Sequence, residues 1–203
     1  LLRAARLLKE AGWVIRDNVL VNEETGKPFI IELISYSIYG ERAMMTFVNA
    51  VKRLGIHCRI RTIEVSQYIN RLGTHDFGGI MENYAQTLTP GIELRNYWGS
   101  EAASRQYSRN SAGIADPVVD QLIEKVIGAR SRTELITAAH ALDRVLLWNF
   151  YMIPGFWPPG YRYGYWDKFV RPKTQARFRT GFFDTWWIDP EREAEIAASL
   201  SNR

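Results

Sequence analysis

Residues 29–61 decide the fold class. They read Phe29-Ile30-Ile31-Glu32-Leu33-Ile34, then a run carrying Met44, Met45, Phe47, Val48, Val51 and Leu54, then Gly55, then Ile56-His57-Cys58-Arg59-Ile60-Arg61. The first segment is rich in β-branched and aromatic residues, which suit a pleated, half-buried surface. Apolar positions over 40–54 recur with the period of a helix, and Gly55 ends it. The last segment alternates apolar with polar residues, so it predicts a half-buried strand with Arg59 and Arg61 facing outward. Strand, helix and strand in that order predict an α/β layer in which helices pack on a sheet.

Toward the N-terminus, Val19-Leu20-Val21-Asn22 and the strand from Phe29 flank a polar turn with Thr25-Gly26-Lys27, which predicts a β-hairpin. Leu1, Ala4, Ala5, Leu7, Leu8 and Ala11 follow a helical spacing, and Gly12 stands where a left-handed cap belongs. Toward the C-terminus, a short helix is expected over 66–73 and a short strand over 77–83. Residues 84–115 hold Thr89-Pro90-Gly91, a short helix with Tyr97-Trp98, and Ser/Ala/Gly-rich sequence to Gly113; so long a loop inside a domain points to function or disorder. Asp116-Pro117 signals a helix start with an acidic cap and proline at the first position. Ser131-Arg132-Thr133-Glu134 reads as a capping box, in which each side chain satisfies the other residue's orphan amide. A last helix is expected over 190–200.

The chain has 203 residues, 46% hydrophobic and 24% charged, enough for a core of its own and roughly one to two domains. A single cysteine, Cys58, excludes an intrachain disulfide and a multi-cysteine metal knot. No apolar run approaches the ~18 residues of a membrane-spanning helix. A net charge of +4 permits an anionic partner without demanding one. The chain opens at Leu1 already inside a helical pattern, so it is expected to be a piece of a longer protein.

Few residues suggest covalent chemistry. The glycine patterns that cradle phosphates are missing, and Phe77-Gly78-Gly79 is better explained by close packing of a strand. His57, His75 and His140 have no ligand-spaced partner, so neither a metal nor a cofactor is expected. Asp116 and Asp120 lie one helical turn apart, where helix-start electrostatics accounts for them. Residues 148–187 hold 15 of the 26 aromatics, among them Trp148, Phe150, Phe156, Trp157, Tyr161, Phe178, Trp186 and Trp187. Arg162, Lys168, Arg171, Lys173, Arg177 and Arg179 are interleaved with them, opposed locally by Asp167 and Asp184. Such a segment lines a pocket or packs on a partner. Arginine among aromatics also suits single-stranded nucleic acid, so a nucleic-acid-binding module stands as one alternative and an unrecognised enzyme domain as another.

Several motifs resemble one family in order. Ala5-Arg6-Leu7-Leu8-Lys9-Glu10-Ala11-Gly12-Trp13 resembles the helix that opens the C-terminal lobe of the family 5 extracellular solute-binding proteins, the oligopeptide, dipeptide and nickel receptors of ABC importers. Leu54-Gly55-Ile56 through Ile60 is similar to that family's helix–strand turn, and Asp116-Pro117-Val118-Val119-Asp120-Gln121-Leu122-Ile123 to a later helix. Ala141-Leu142-Asp143-Arg144-Val145-Leu146-Leu147, followed by Tyr151-Met152-Ile153-Pro154, resembles its return segment. Gln86-Thr87-Leu88-Thr89-Pro90-Gly91, Tyr165-Trp166-Asp167-Lys168-Phe169 and Phe183-Asp184-Thr185-Trp186-Trp187-Ile188-Asp189 look like the YejA-like branch, linked to oligopeptide-type solutes and microcin C uptake.

The resemblance implies the C-terminal lobe of a type II periplasmic-binding-protein fold, a mixed sheet flanked by helices. Residues 1–155 would form that lobe, and 156–203 would return toward an N-terminal lobe of the same parent chain. It implies a non-enzymatic, periplasmic or extracellular receptor that encloses a peptide or peptide-like solute and hands it to an inner-membrane ABC permease, with no nucleic acid among its partners. Ligand contacts are expected at the carboxyl ends of the strands and in the loop beyond: Tyr36, Ser37, Asn83, Tyr84, Gln86, Thr87, Arg95, Trp98 and Asn110. Trp98 and Tyr97 can equally anchor a helix, and Asn110 suits stitching its loop to backbone. In peptide-binding relatives an aspartate about four residues before a proline of this loop pairs with the ligand's α-ammonium. Counting back from Pro90, Gln86 stands there, and a neutral amide offers no such charge pair. The ligand then lacks a free amine at that point, or another acid, Glu82 or Glu93, supplies the contact.

Overall fold

The computed structural model describes residues 1–155, 160, 162–174 and 181–201. The chain divides into two compact units, Leu1–Ile153 and Pro154–Arg203.

The first unit begins with α1 (Leu2–Glu10), which ends at Gly12 in the left-handed conformation expected of a cap. Strands β1 (Trp13–Arg16) and β2 (Val19–Asn22) come next as an antiparallel hairpin, with Val14 opposite Val21. Its two-residue turn, Asp17-Asn18, has positive φ at both positions, the backbone that a tight hairpin requires. The hairpin expected from the sequence between Val19–Asn22 and the strand from Phe29 is present only as a short antiparallel contact: the Asn22 amide donates to the Lys27 carbonyl at 2.9 Å, Val21 bridges Pro28, and the Phe29 amide donates to the Leu20 carbonyl at 2.8 Å, while the full ladder of β2 is with β1.

Strand β3 (Ile30–Ser35) pairs instead with β4 (His57–Thr62) in parallel, Leu33 opposite Ile60, across helix α2 (Ile38–Lys52). A third parallel segment joins the other edge of β3, where Leu33 bridges Gly79 and the Ile34 amide donates to the Gly79 carbonyl at 3.0 Å. The glycine pair permits this approach. A Cβ on Gly78 would stand 2.7 Å from the Glu32 carbonyl oxygen, and one on Gly79 2.5 Å from Leu33 Cδ2. Leu33 and Ile34 are buried, as is Met44 of α2, which packs over β4. On the outward side, Glu32 pairs with Arg59 at 2.7 Å.

The second part of this unit is helical: α3 (Val65–Gly73), α4 (Glu93–Trp98), α5 (Ser100–Ala103), α6 (Pro117–Ile127) and α7 (Arg132–Trp148). Its core holds Leu94, Trp98, Ile114, Val119, Ile123, Val126, Leu142 and Leu146. Burying side chains of this size contributes about 1.5–3 kcal/mol each before entropic costs. Asp116 caps α6 by accepting from the Val118 amide at 2.8 Å. Ser131 accepts from the Glu134 amide at 3.2 Å, but the reciprocal half of the expected box is shifted: Glu134 accepts from the Arg130 amide at 2.8 Å, one residue before the cap.

In the second unit β5 (Phe169–Val170) pairs antiparallel with β6 (Trp187–Ile188), flanked by α8 (Phe182–Thr185) and α9 (Pro190–Ser201). Trp186 gathers Tyr163, Tyr165 and Phe182 within 5.9, 4.8 and 6.3 Å, while Phe183 is 90% exposed. The tail's charges find partners on α9: Lys168 meets Glu193 at 2.6 Å and Asp167 meets Arg192 at 3.2 Å. Phe156, Trp157, Tyr161, Arg177, Phe178 and Arg179 lie outside the described residues.

Candidate functional site

Three parallel chain segments, β3, β4 and residues around Gly79, end on one side of the first unit. In open α/β layers that side is where ligands sit, because helices start there and backbone donors point outward. The turns beyond β3 and beyond the Gly79 segment therefore hold the candidate contacts.

After β3 comes Ser35-Tyr36-Ser37. Ser37 Oγ accepts from the Gly40 amide at 3.1 Å and so caps α2, while the Ser37 amide and carbonyl both bond Ser35 Oγ. Ser37 thus holds the turn, and Tyr36 is left projecting from it, 54% exposed. Its ring rests on Tyr68 of α3, centroid to centroid 4.9 Å. Tyr68 is buried, which with the nearby Glu82 carboxylate pushes its hydroxyl pKa up.

After the Gly79 segment comes Glu82-Asn83-Tyr84. Glu82 Oε1 receives Arg109 Nη2 at 3.0 Å, and the same nitrogen donates to the Asn83 carbonyl at 2.9 Å. The Arg109 guanidinium also lies 5.5 Å from the centre of the Tyr97 ring. Tyr84 packs edge-on to Tyr97 at 5.7 Å and against Trp98 at 4.4 Å. Burial first, and the Glu82 charge second, push the Tyr84 hydroxyl to about 12. The result is an aromatic wall of Tyr84 and Tyr97 beside a carboxylate–guanidinium pair, with Tyr36 on Tyr68 as a second ring contact.

The sequence-derived candidates distribute unevenly over this site. Tyr36, Asn83 and Tyr84 take part in it directly. Gln86 and Thr87 come next, on exposed chain; Thr87 Oγ1 accepts from the Thr89 amide at 3.2 Å. Trp98 is buried in the helical core beneath the wall. Arg95 points at α6, where it forms a two-pronged pair with Glu124, both contacts 2.7 Å. Asn110 is fully buried: its amide nitrogen donates to the carbonyls of Gly99 and Ile114, and its oxygen accepts from the Ile114 amide at 2.9 Å. Both amide protons and the oxygen of its side chain are thus engaged by backbone. Of the two acids weighed as replacements for the missing aspartate, Glu93 bonds the Gly91 amide at 3.0 Å and Glu82 bonds Arg109.

Tyr68 and Arg109 carry no signal of this role in the sequence. Tyr68 sits on a short amphipathic helix where an aromatic reads as core. Arg109 stands in an aperiodic Ser/Gly-rich stretch that carries no pattern. Among the described residues, no three of His, Cys, Asp and Glu come together as metal ligands, and no helix is long and apolar enough to cross a membrane.

Comparison with known proteins decides the kinship. The chain is 43% identical over 184 residues, 91% of its length, to a probable peptide-binding protein YejA of Agrobacterium fabrum. It is a YejA-like chain. It is 46% identical over 185 residues to protein y4wM of Sinorhizobium fredii, and 35% identical over 200 residues to the YejA protein of Escherichia coli K12. This YejA-like chain spans 28–33% of the length of those relatives. No family model matches it. The oligopeptide-binding protein AppA of Bacillus subtilis, solved with a nonapeptide, superposes on 92% of the chain and 37% of its own length, with a TM-score of 0.71 at 15% identity. The fold is therefore that of the type II periplasmic binding proteins, as the sequence motifs imply.

Proposed function

We propose that this chain is the C-terminal lobe of a two-lobed solute receptor, which captures oligopeptides or peptide-like solutes and delivers them to an inner-membrane ABC permease. The observation that carries the reading is the 43% identity, over 91% of the chain, with a probable peptide-binding protein. The geometry supports it. Rigid strands and helix starts present tyrosine rings and a charge pair on one open side, and half a binding site is what one lobe contributes. Residues 156–203 return toward the other lobe on this reading, and the receptor works in the periplasm or outside the cell.

The mechanism needs no bond made or broken. A ligand held by both lobes favours the closed arrangement by the difference of its affinities for closed and open forms. Tyr36, Asn83, Tyr84, Gln86 and Thr87 line this lobe's share of the cleft, while Ser37, Arg95, Trp98 and Asn110 hold the frame that positions them. Small-angle X-ray scattering of the two-lobed protein tests closure. The radius of gyration falls when a mixture of short peptides is added; an unchanged radius at saturating peptide contradicts the reading.

A further inference from the structure

The ion pair at the strand ends is only half used by the protein. All of the Glu82 contacts fall on Oε1, which takes Arg109 Nη2 at 3.0 Å and the Asn83 amide at 3.3 Å, and Oε2 accepts no hydrogen bond among the described residues. All of the Arg109 contacts fall on Nη2, so Nε and Nη1 donate to nothing among the described residues. The Glu82 side chain is 17% exposed and that of Arg109 46%, so both remain reachable from solvent. The Asn83 carbonyl and the Tyr97 ring fix the guanidinium. The pair therefore offers one spare charged acceptor, Glu82 Oε2, and spare charged donors on two different edges of the guanidinium.

We infer that the Glu82–Arg109 pair recognises a zwitterionic amino-acid head, a single carbon bearing both an ammonium and a carboxylate, carried by the peptide-like ligand. The ammonium donates to Glu82 Oε2 and the carboxylate accepts from Arg109 Nη1, which closes a four-charge ring with alternating signs. Charge-assisted bonds of this kind are short and strong. A ligand with only one of the two charges leaves one member of the pair unanswered. An ordinary peptide carries its ammonium and its carboxylate at opposite ends, so the site prefers peptides joined through a side chain, whose head carbon keeps both groups. This inference rests on the receptor reading above.

Two isomeric probes separate it from that reading: γ-glutamyl-alanyl-alanine, whose head carbon keeps both charges, and α-glutamyl-alanyl-alanine, which has the same composition and net charge but a peptide bond at that carbon. Isothermal titration uses the full-length protein that contains this chain, with Glu82→Gln and Arg109→Met variants. The expected result is at least about tenfold tighter binding of the γ isomer, with the preference lost in both variants while the α isomer still binds them. Equal affinity of the wild-type protein for the two isomers overturns the inference and leaves the receptor reading intact. A γ preference that survives both substitutions also overturns it. If neither isomer nor trialanine binds, the receptor reading fails and the inference with it.

Discussion

The Tyr151 hydroxyl donates to Asp116 Oδ2 at 2.9 Å, across 35 residues of chain. The contact fastens the turn after α7 to the first turn of α6, closing the antiparallel helix pair at one end. Phe150, just before it, takes a left-handed backbone at φ 55°, which swings Tyr151 back toward α6. Because Asp116 Oδ1 already caps α6, one carboxylate serves a helix start and a tertiary contact together.

Removing the hydroxyl isolates the second role. Tyr151→Phe keeps the ring and the cap, so it is expected to cost about 1 kcal/mol, the net worth of one hydrogen bond. Urea unfolding reads this as a lower midpoint at unchanged slope.

The same carboxylate sets a pH dependence. The Val118 amide first, then the Tyr151 hydroxyl, hold the Asp116 pKa below the ordinary aspartate range. A depressed carboxyl stabilises the fold above its unfolded-state pKa, and that contribution is lost as pH falls through the folded-state value. Asp116→Asn still caps the helix but lacks that contribution, so it is expected to flatten the acid limb of the stability profile, with lower stability at neutral pH and little change at the acid end, where Asp116 is itself neutral. Thermal unfolding between pH 2 and 7 in roughly one-unit steps checks this.

Tyr84 acts in the opposite range. Burial and the Glu82 charge raise its hydroxyl from 10.0 to about 12, so the fold favours the protonated phenol. That stabilisation is complete below the unfolded-state value and is lost as pH rises through 10 to about 12. Tyr84→Phe is expected to remove this alkaline loss, visible in unfolding followed across that range.

Asn110 carries the heaviest structural penalty. Asn110→Leu fills similar volume but strands the Gly99 carbonyl and both backbone groups of Ile114 in the interior. Leaving such groups unpaired is expected to cost about 3 kcal/mol or more. Hydrogen exchange should then show the Ile114 amide losing its protection before the amides of α6.

These residues also mark how far the sequence can be read. The β3–α2–β4 unit is legible because its periods are long and pure, and the caps at Asp116 and Ser131 because they depend on neighbours within three residues. The β1–β2 hairpin is not, although Asp17-Asn18 suits a tight turn: Val19–Asn22 meets chain on both sides, fully with β1 and briefly with Lys27–Phe29, and the sequence pattern marks only the second. Asn110 is legible as a loop stitch, since an asparagine in a Ser/Gly-rich stretch commonly bonds backbone. The ion pair is not. Glu82 and Arg109 meet across 27 residues, from two segments without periodicity, and no local pattern announces such a contact. Ring clusters such as Tyr36 with Tyr68 are of the same kind, since each tyrosine alone reads as surface or core.

The central claim, a lobe of a peptide receptor, is tested most directly by thermal unfolding of the full-length protein with and without short peptides, in free and N-acetylated forms. A ligand at ~100 times its dissociation constant adds about 2.7 kcal/mol of stability. The account predicts such a rise in midpoint with at least one peptide class. A midpoint that no peptide moves contradicts it.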